Sequence, residues 1–556
     1  MSAAVQTKKI DDDGANEFSS FHFLRGKYLR VAFISALVLI PCFWHRHIEA
    51  GDLPSHVYNA WLTHLIKMGT TPGLWLATRW NNVLYDFALS GIGILLGWNA
   101  AEKIATAGSV LLFFWGVFAF ICAITRRPAW FMLPVIGMIS YGWMFEMGFM
   151  NCYISIGIAF WGLAILLNFQ GAQRWFALCT IPLIWLAHPL GLILLLGFGA
   201  YAMLAEHLSH RGQLYLLMTA LALIGATHVL LVFLHAHFLI MWRRTPYYLL
   251  DGFDQFLLYQ PHYLLLAHLL RIAFVASLIV AIAKCFRAPR WWVPYYLPFQ
   301  LWLLAFAAVQ LLPTDIDGNL FHRIGFLSIG FLTERATSVV IVMFCCLIGA
   351  VSPEGWFRIG SAFIAAIFFL FLYVDSGVVA QMEDLLRAQI LQLPTGQRVI
   401  GPILSFRCSS RVSTAHIIDR ACVGHCFSYG NYEVASGQFR VRAARGNPFV
   451  LTDWSSDVAV LYGGYLVQER DLPLIQIYQS NTDLRTLGIR KLAAGDRTTS
   501  LVGKSKCNFV QNFGWGALFF DLGLSALVAG TICGIIRRFS LGATRTSSRA
   551  IFSELK

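Results

Sequence analysis

Near the start of the chain, His47-Ile48-Glu49-Ala50-Gly51-Asp52-Leu53-Pro54-Ser55-His56 brings two carboxylates and two imidazoles into one short run. Carboxylate and imidazole are side chains that take and give protons near neutral pH. Asp52, His56 and Glu49 are therefore candidates for acid–base catalysis or, with a divalent metal, for ligation. A plainer role competes: an Asp or Ser just ahead of a helix caps its first N–H groups, which Asp52 or Ser55 would do here. Arg243-Arg244, His322-Arg323 and Arg335 form a second set, cations of the kind that meet phosphate. Against that, Arg243 and Arg244 fit anchors at a membrane boundary, and Arg335 can pair with its neighbour Glu334. Arg271, alone in an apolar run, needs a partner or a function. Cys408, Cys422, Cys426 and Cys507 allow two disulfides. Cys408, His416, Cys422, His425 and Cys426 are also zinc-ligand types, but their spacing matches no standard knuckle, and an oxidising compartment favours disulfides.

The elements that must carry these residues are mostly transmembrane. Of 556 residues 57% are hydrophobic and 13% charged, with a mean hydropathy of +0.63. A soluble domain carries about 25% charged residues. Apolar runs fall at 29–45, 83–98, 104–124, 129–147, 152–168, 176–204, 214–240, 262–284, 292–312, 336–351, 356–374 and 515–536. The pattern predicts an α-helical polytopic membrane protein of about 12 transmembrane helices. Residues 1–28 form a cytoplasmic tail without a cleavable leader, 29–375 the bundle, and 515–556 the last span with a basic cytoplasmic tail. Arg126-Arg127 and Arg243-Arg244 fall outside on this count, against the positive-inside bias. The net charge of +13 is assigned to loops and tails, not to nucleic-acid binding.

Two segments read as extramembrane. Within the first outer loop, 46–82, the stretch Ser55–Lys67 alternates Val57, Ala60, Trp61 and Leu65 with His56, Asn59 and Thr63. That predicts an amphipathic helix lying flat at the interface, with Pro54 in its first turn. Residues 376–514 are richer in Gly, Ser, Thr and charge, and predict a small extracytoplasmic α+β domain. Its expected elements are a helix over Met382–Leu393 and strands at Arg398–Leu404, Val458–Val467 and Leu474–Tyr478. The aromatic stretch Phe427–Arg442 fits either a sugar-binding surface or the core of a hairpin. His188-Pro189 interrupts one span, Gly148-Phe149-Met150-Asn151 breaks the chain between two others, and His228, His235 and His237 are expected to bond to backbone. No Walker motif, dinucleotide fingerprint or serine elbow is present.

The first-loop acid, the helix after it, the polar stretch with Pro72, Trp75 and Asn82, and the turn Gly97-x-x-Ala-x-Lys103 together resemble the GT-C superfamily of membrane glycosyltransferases. The resemblance covers about residues 29–130 in pattern and the rest in layout. It implies sugar transfer from a polyprenyl-phosphate carrier to an extracytoplasmic glycan, lipid or protein, in a bacterial inner membrane. Asp52 would be the general base, with His56 orienting and Glu49 as second candidate; Arg243, Arg244, His322, Arg323 and Arg335 would meet the donor phosphate. No second outer acid is evident, since Glu146 is expected within a span at its inner end; a divalent metal is left open. The alternatives are a transporter or flippase of lipid-linked glycans, and a non-catalytic assembly protein. The first predicts repeated halves and mid-membrane charges, which are few here.

Overall fold

The computed structural model describes residues 28–235, 239–242, 250–259, 262–287, 296–317, 329–351, 355–401, 416–462, 464–479 and 486–498. In chain order the helices are α1 Tyr28–Phe43, α2 Leu53–Lys67, α3 Leu84–Leu96, α4 Trp98–Thr125, α5 Leu133–Ser140, α6 Trp143–Glu146 and α7 Met150–Asn168. They continue with α8 Ile181–Ala187, α9 Pro189–Glu206, α10 His210–Leu234, α11 His262–Arg287, α12 Tyr296–Leu311, α13 Leu332–Val351 and α14 Gly355–Ile390. Three short ones follow: α15 Ile417–Cys422, α16 Tyr432–Ser436 and α17 Trp454–Tyr462.

The chain is mostly helical. Seven helices among the described residues are long and apolar enough to cross a membrane: α4, α7, α9, α10, α11, α13 and α14. α1, α3 and α12 are apolar but shorter, at roughly 20–24 Å against a hydrocarbon core of about 30 Å. Apolar side chains cover the outside of the bundle; Leu29, Phe233 and Ile359 are all more than 70% exposed. Lipid is the solvent that explains such a surface. These features define an integral membrane protein.

Several predicted spans differ in detail. The run 129–147 is not one helix: it breaks into a 3-10 turn, α5 and α6, with the chain leaving the helix at Tyr141 and extended at Gly142. The run 176–204 breaks where His188-Pro189 was expected to interrupt it; Pro189 has no N–H to continue α8, and His188 Nδ1 accepts from Leu190 N as α9 begins. The apolar run 356–374 and the separate helix expected at Met382–Leu393 are one element, α14. At 36 residues it reaches about 54 Å, so its polar end, from Asp375 on, extends beyond the length a membrane needs.

Arg271 has the partner its position demands. Its guanidinium lies 2.7 Å from Asp251, both buried. His228 bonds to the Leu311 carbonyl, as expected; His237 lies outside the described residues.

The segment after α14 is α+β, as expected, built on a four-stranded sheet in the order β5-β4-β7-β8. β4 (Arg398–Ile400) runs parallel to β5 (Phe427–Ser428) and β7 (Leu474–Gln479), and β8 (Leu487–Leu492) pairs antiparallel to β7. Ile400, Tyr429, Leu451, Val460, Leu474 and Leu492 share its core. The strand expected at Val458–Val467 is instead the end of α17 and a loop: Asp453 Oδ1 accepts the Ser456 N–H and starts a helix there, which overrides the β-branched composition. Phe427–Arg442 is not a hairpin; α16 divides it, and β6 (Val441–Ala443) pairs antiparallel with β1 (Leu74–Leu76) of the first loop. The remaining described strands, β2 (Leu239–Met241) and β3 (Asp315–Asp317), pair with each other.

The first loop is thus joined to the α+β segment. α2 is not a helix lying on a surface: Leu53 through Thr63 are all buried, including the His56, Asn59 and Thr63 that were assigned to a polar outer face. His56 lies between Asp86 of α3 and Glu433 of the α+β segment, and Asn59 faces polar groups of that segment. The Ser428 N–H donates to Tyr58 Oη (3.0 Å), and the Asn59 and Asn431 amides bond reciprocally at 3.2 and 2.7 Å.

Candidate functional site

Asp52 is fixed by its backbone. The Gly51 N–H donates to the Glu146 carbonyl (2.8 Å) and the Asp52 N–H to that of Met147 (3.0 Å). Glycine is required on both sides of this contact. A Cβ on Gly148, whose φ is +77°, would stand 2.4 Å from Asp52 N, and one on Gly51 would stand 2.8 Å from the Met147 oxygen. The α6 turn therefore clamps the first loop. Glu146, expected at the far end of a span, lies here instead; its carboxylate accepts from Tyr259 Oη (2.5 Å), which also bonds to the Glu49 carbonyl oxygen.

Asp52 occupies the N-cap position of α2 but its side chain makes no cap bond. Oδ1 lies 3.8 Å from His416 Nε2, and the Asp52 side chain is 20% exposed. The other ring nitrogen of His416 is 3.7 Å from Asp419, so this imidazole stands between two carboxylates. Burial holds His416 below its ordinary value, against the pull of Asp52. Asp419 is pushed up to about 8 by burial, despite the hydrogen bond it accepts from Ser428 Oγ.

One turn on, His56 Nδ1 lies 2.8 Å from Asp86 Oδ1 and 3.7 Å from Glu433 Oε1. Burial opposes a charge on this ring, but the Asp86 carboxylate and its hydrogen bond, with Glu433 and Asp52, raise it to about 9. Asp86 is held from the other side by Asn151 Nδ2 (3.0 Å), and Asn151 Oδ1 accepts the Tyr85 N–H (2.8 Å). The break at Gly148–Asn151 thus supplies a polar strut to the site.

Beside this group lies a small pocket open to solvent. Asn59 and Thr63 of α2 line it, with Arg79, Asn82 and Asp86 from the segment that follows and Glu433 and Arg440 from the α+β segment. Asp52 is not among its lining residues. The pocket is two-signed: Asp86 and Glu433 oppose Arg79 and Arg440, whose guanidinium covers the Phe87 ring at 4.5 Å. Arg442, paired with Trp75 in the β1–β6 ladder, stands nearby. Burial and the positive charge of Arg79 push Arg442 down to about 10.

Glu49 has a different place from the one its sequence position implies. With Glu102 and Glu383 it surrounds Arg420 at 3.2, 3.0 and 2.5 Å, and all four side chains are at most 2% exposed. His47 stands 3.7 Å from Glu102 and 4.0 Å from Glu383. Burial and the nearby Glu383 raise Glu49 well above the carboxylate range, against Arg420. This cluster ties the first loop, α4, α14 and α15 together in a buried place.

Of the proposed phosphate cations only Arg335 is described; its guanidinium lies 3.8 Å over the Phe149 ring, next to the Gly148 turn. Arg243, Arg244, His322 and Arg323 lie outside the described residues, as do Cys408 and Cys507. Cys422 and Cys426, two of the four disulfide candidates, are both buried and lie four residues apart at the end of α15, and the other two candidates lie outside the described residues. His425 Nε2 bonds to the Leu393 carbonyl at 2.8 Å. Among the described residues no three His, Cys, Asp or Glu side chains are grouped to hold a metal ion. Sequence reasoning did not single out Asp86, Arg420, Glu433 or Arg79, and it reached Arg440 only as part of the aromatic stretch Phe427–Arg442. Asp86 reads as a first-turn acid that suits the helix dipole, and Glu433 and Arg440 lie in the aromatic stretch whose sugar-binding alternative was the available signal.

No family model matches the chain and no curated protein matches it. Among solved structures it is similar to ArnT from Cupriavidus metallidurans, crystallised bound to undecaprenyl phosphate. The two are 13% identical, the match covers 85% of this chain and 97% of that one, and the TM-score is 0.42. At that score the fold rests on this chain's own elements.

Proposed function

We propose that the chain is a membrane glycosyltransferase that moves a sugar from a polyprenyl-phosphate donor to an extracytoplasmic glycan, lipid or protein, in a bacterial inner membrane. The observation that carries this reading is the two-signed pocket beside the Asp52 group, in a protein whose helices face lipid. A sugar on a lipid phosphate presents hydroxyls, an anion and an apolar tail. Carboxylates bond hydroxyls, arginines bond phosphate, and the bundle surface takes the tail. Arg79 and Arg442 repel each other in a partly buried place, and an anion beside them would relieve that repulsion.

In the step proposed, Asp52 takes the proton of an acceptor hydroxyl, and the acceptor oxygen bonds to the anomeric carbon. The bond from that carbon to the phosphate oxygen breaks, and its electron pair leaves with polyprenyl phosphate. Arg79 and Arg440 neutralise the charge that grows on the leaving oxygen. His416, between Asp52 and Asp419, orients the base; His56 holds Asp86 at the pocket wall. Glu49 is assigned to the Arg420 cluster that supports the loop.

The test is transfer from labelled polyprenyl-phosphate sugars in membranes holding Asp52→Asn, with Asp86→Asn beside it. Loss of a general base typically costs about 10²–10⁴-fold, and Asp52→Asn is expected to lose that much while folding normally. An active Asp52→Asn enzyme with a dead Asp86→Asn enzyme would move the base to the pocket wall.

A further inference from the structure

We infer that Glu433, contributed by the α+β segment, reads the sugar: its free carboxyl oxygen hydrogen-bonds a sugar hydroxyl while Arg79 and Arg440 hold the attached phosphate. The inference rests on the transferase reading for the identity of the ligand and adds the residue that selects it.

Glu433 is 4% exposed, lines the pocket, and its Oε1 is buried without a hydrogen-bond partner. The nearest imidazole nitrogen, His56 Nδ1, is 3.7 Å away and is directed to Asp86 at 2.8 Å. A buried polar atom left unpaired is costly, and a site that keeps one on its wall gains most from a ligand that supplies the missing bond. The backbone at this position is held: Asn431 Oδ1 accepts the Glu433 N–H at 3.2 Å, and Asn431 itself bonds to Asn59 of α2. Arg79 and Arg440, which line the same pocket, address an anion. One ligand that satisfies both the acid and the arginines is a hydroxylated ring carrying a phosphate. Inorganic phosphate would satisfy only one.

The experiment uses the full chain purified in detergent and measures equilibrium binding of glucose 1-phosphate, galactose 1-phosphate, ribose 5-phosphate and inorganic phosphate. It compares wild type, Glu433→Ala, Glu433→Gln and Arg440→Ala. Wild type is expected to bind at least one sugar phosphate about tenfold more tightly than inorganic phosphate, the worth of about one buried hydrogen bond. Glu433→Ala should remove that preference and leave phosphate affinity unchanged. Glu433→Gln, which keeps an acceptor, should restore part of it, and Arg440→Ala should weaken all four ligands together. Equal binding of all four by wild type, or a preference that survives Glu433→Ala, overturns the inference. Glu433-dependent preference without any transfer from lipid donors keeps the inference and removes the transferase reading instead.

Discussion

His56 gives the site a pH signature of its own. In the folded chain it is held up to about 9, against an ordinary value of 6.5. Its folded value is raised, so the stability it contributes is complete below about pH 6.5 and is lost as pH rises through about 9. The buried Asp419, pushed up to about 8, acts in the same direction. The unfolding temperature of the purified protein should therefore fall between pH 7 and 10, with a shallower fall in His56→Gln; parallel curves would remove His56 as the source. At this scale the sequence was informative about residue types and nearly silent about partners. Asp52 and His56 stood out because acids and imidazoles cluster in one short run. Asp86 and Glu433, which hold His56, lie 30 and 377 positions further on, a separation that no local periodicity encodes.

Elements decide whether those side chains meet. The first loop is clamped by the α6 turn through Gly51 and Gly148, so Gly148→Ala is a sharp probe of the clamp. A Cβ there meets Asp52 N at 2.4 Å and the residue needs a positive φ, so the loop must move. A displacement near 1 Å at a base costs about 10²-fold in rate, and Gly148→Ala should lose about that much transfer while keeping donor binding. The second clamp is Arg420. Arg420→Ala leaves Glu49, Glu102 and Glu383 buried together and should cost about 3–5 kcal/mol, read as a large drop in thermal unfolding temperature in detergent. Helix positions were legible from apolar runs, and Pro54 correctly marked the start of α2. The environment of α2 was not, because a helix covered by a polar domain shows the same spacing as one lying on a membrane. The polar face was the same; what covers it is set by residues 416–443. Likewise the change in composition near residue 375 marks where α14 turns polar, while the helix itself continues to Ile390.

For the whole molecule, composition alone declared a membrane protein, and seven helices of spanning length with a lipid-facing surface agree. The pairing of β1 with β6 was beyond reach of the sequence, since two three-residue strands 367 positions apart carry no signal. Yet that pairing brings Arg440 and Arg442 to the first loop and makes the pocket two-signed. The direct measurement is the purified chain in proteoliposomes with radiolabelled polyprenyl-phosphate pentoses and hexoses, scoring sugar lost from the lipid against free polyprenyl phosphate formed. The account predicts one-for-one, acceptor-dependent release for at least one donor by the wild type and background levels for Asp52→Asn. Intact donors throughout the panel, or equal release by the two proteins, would contradict it.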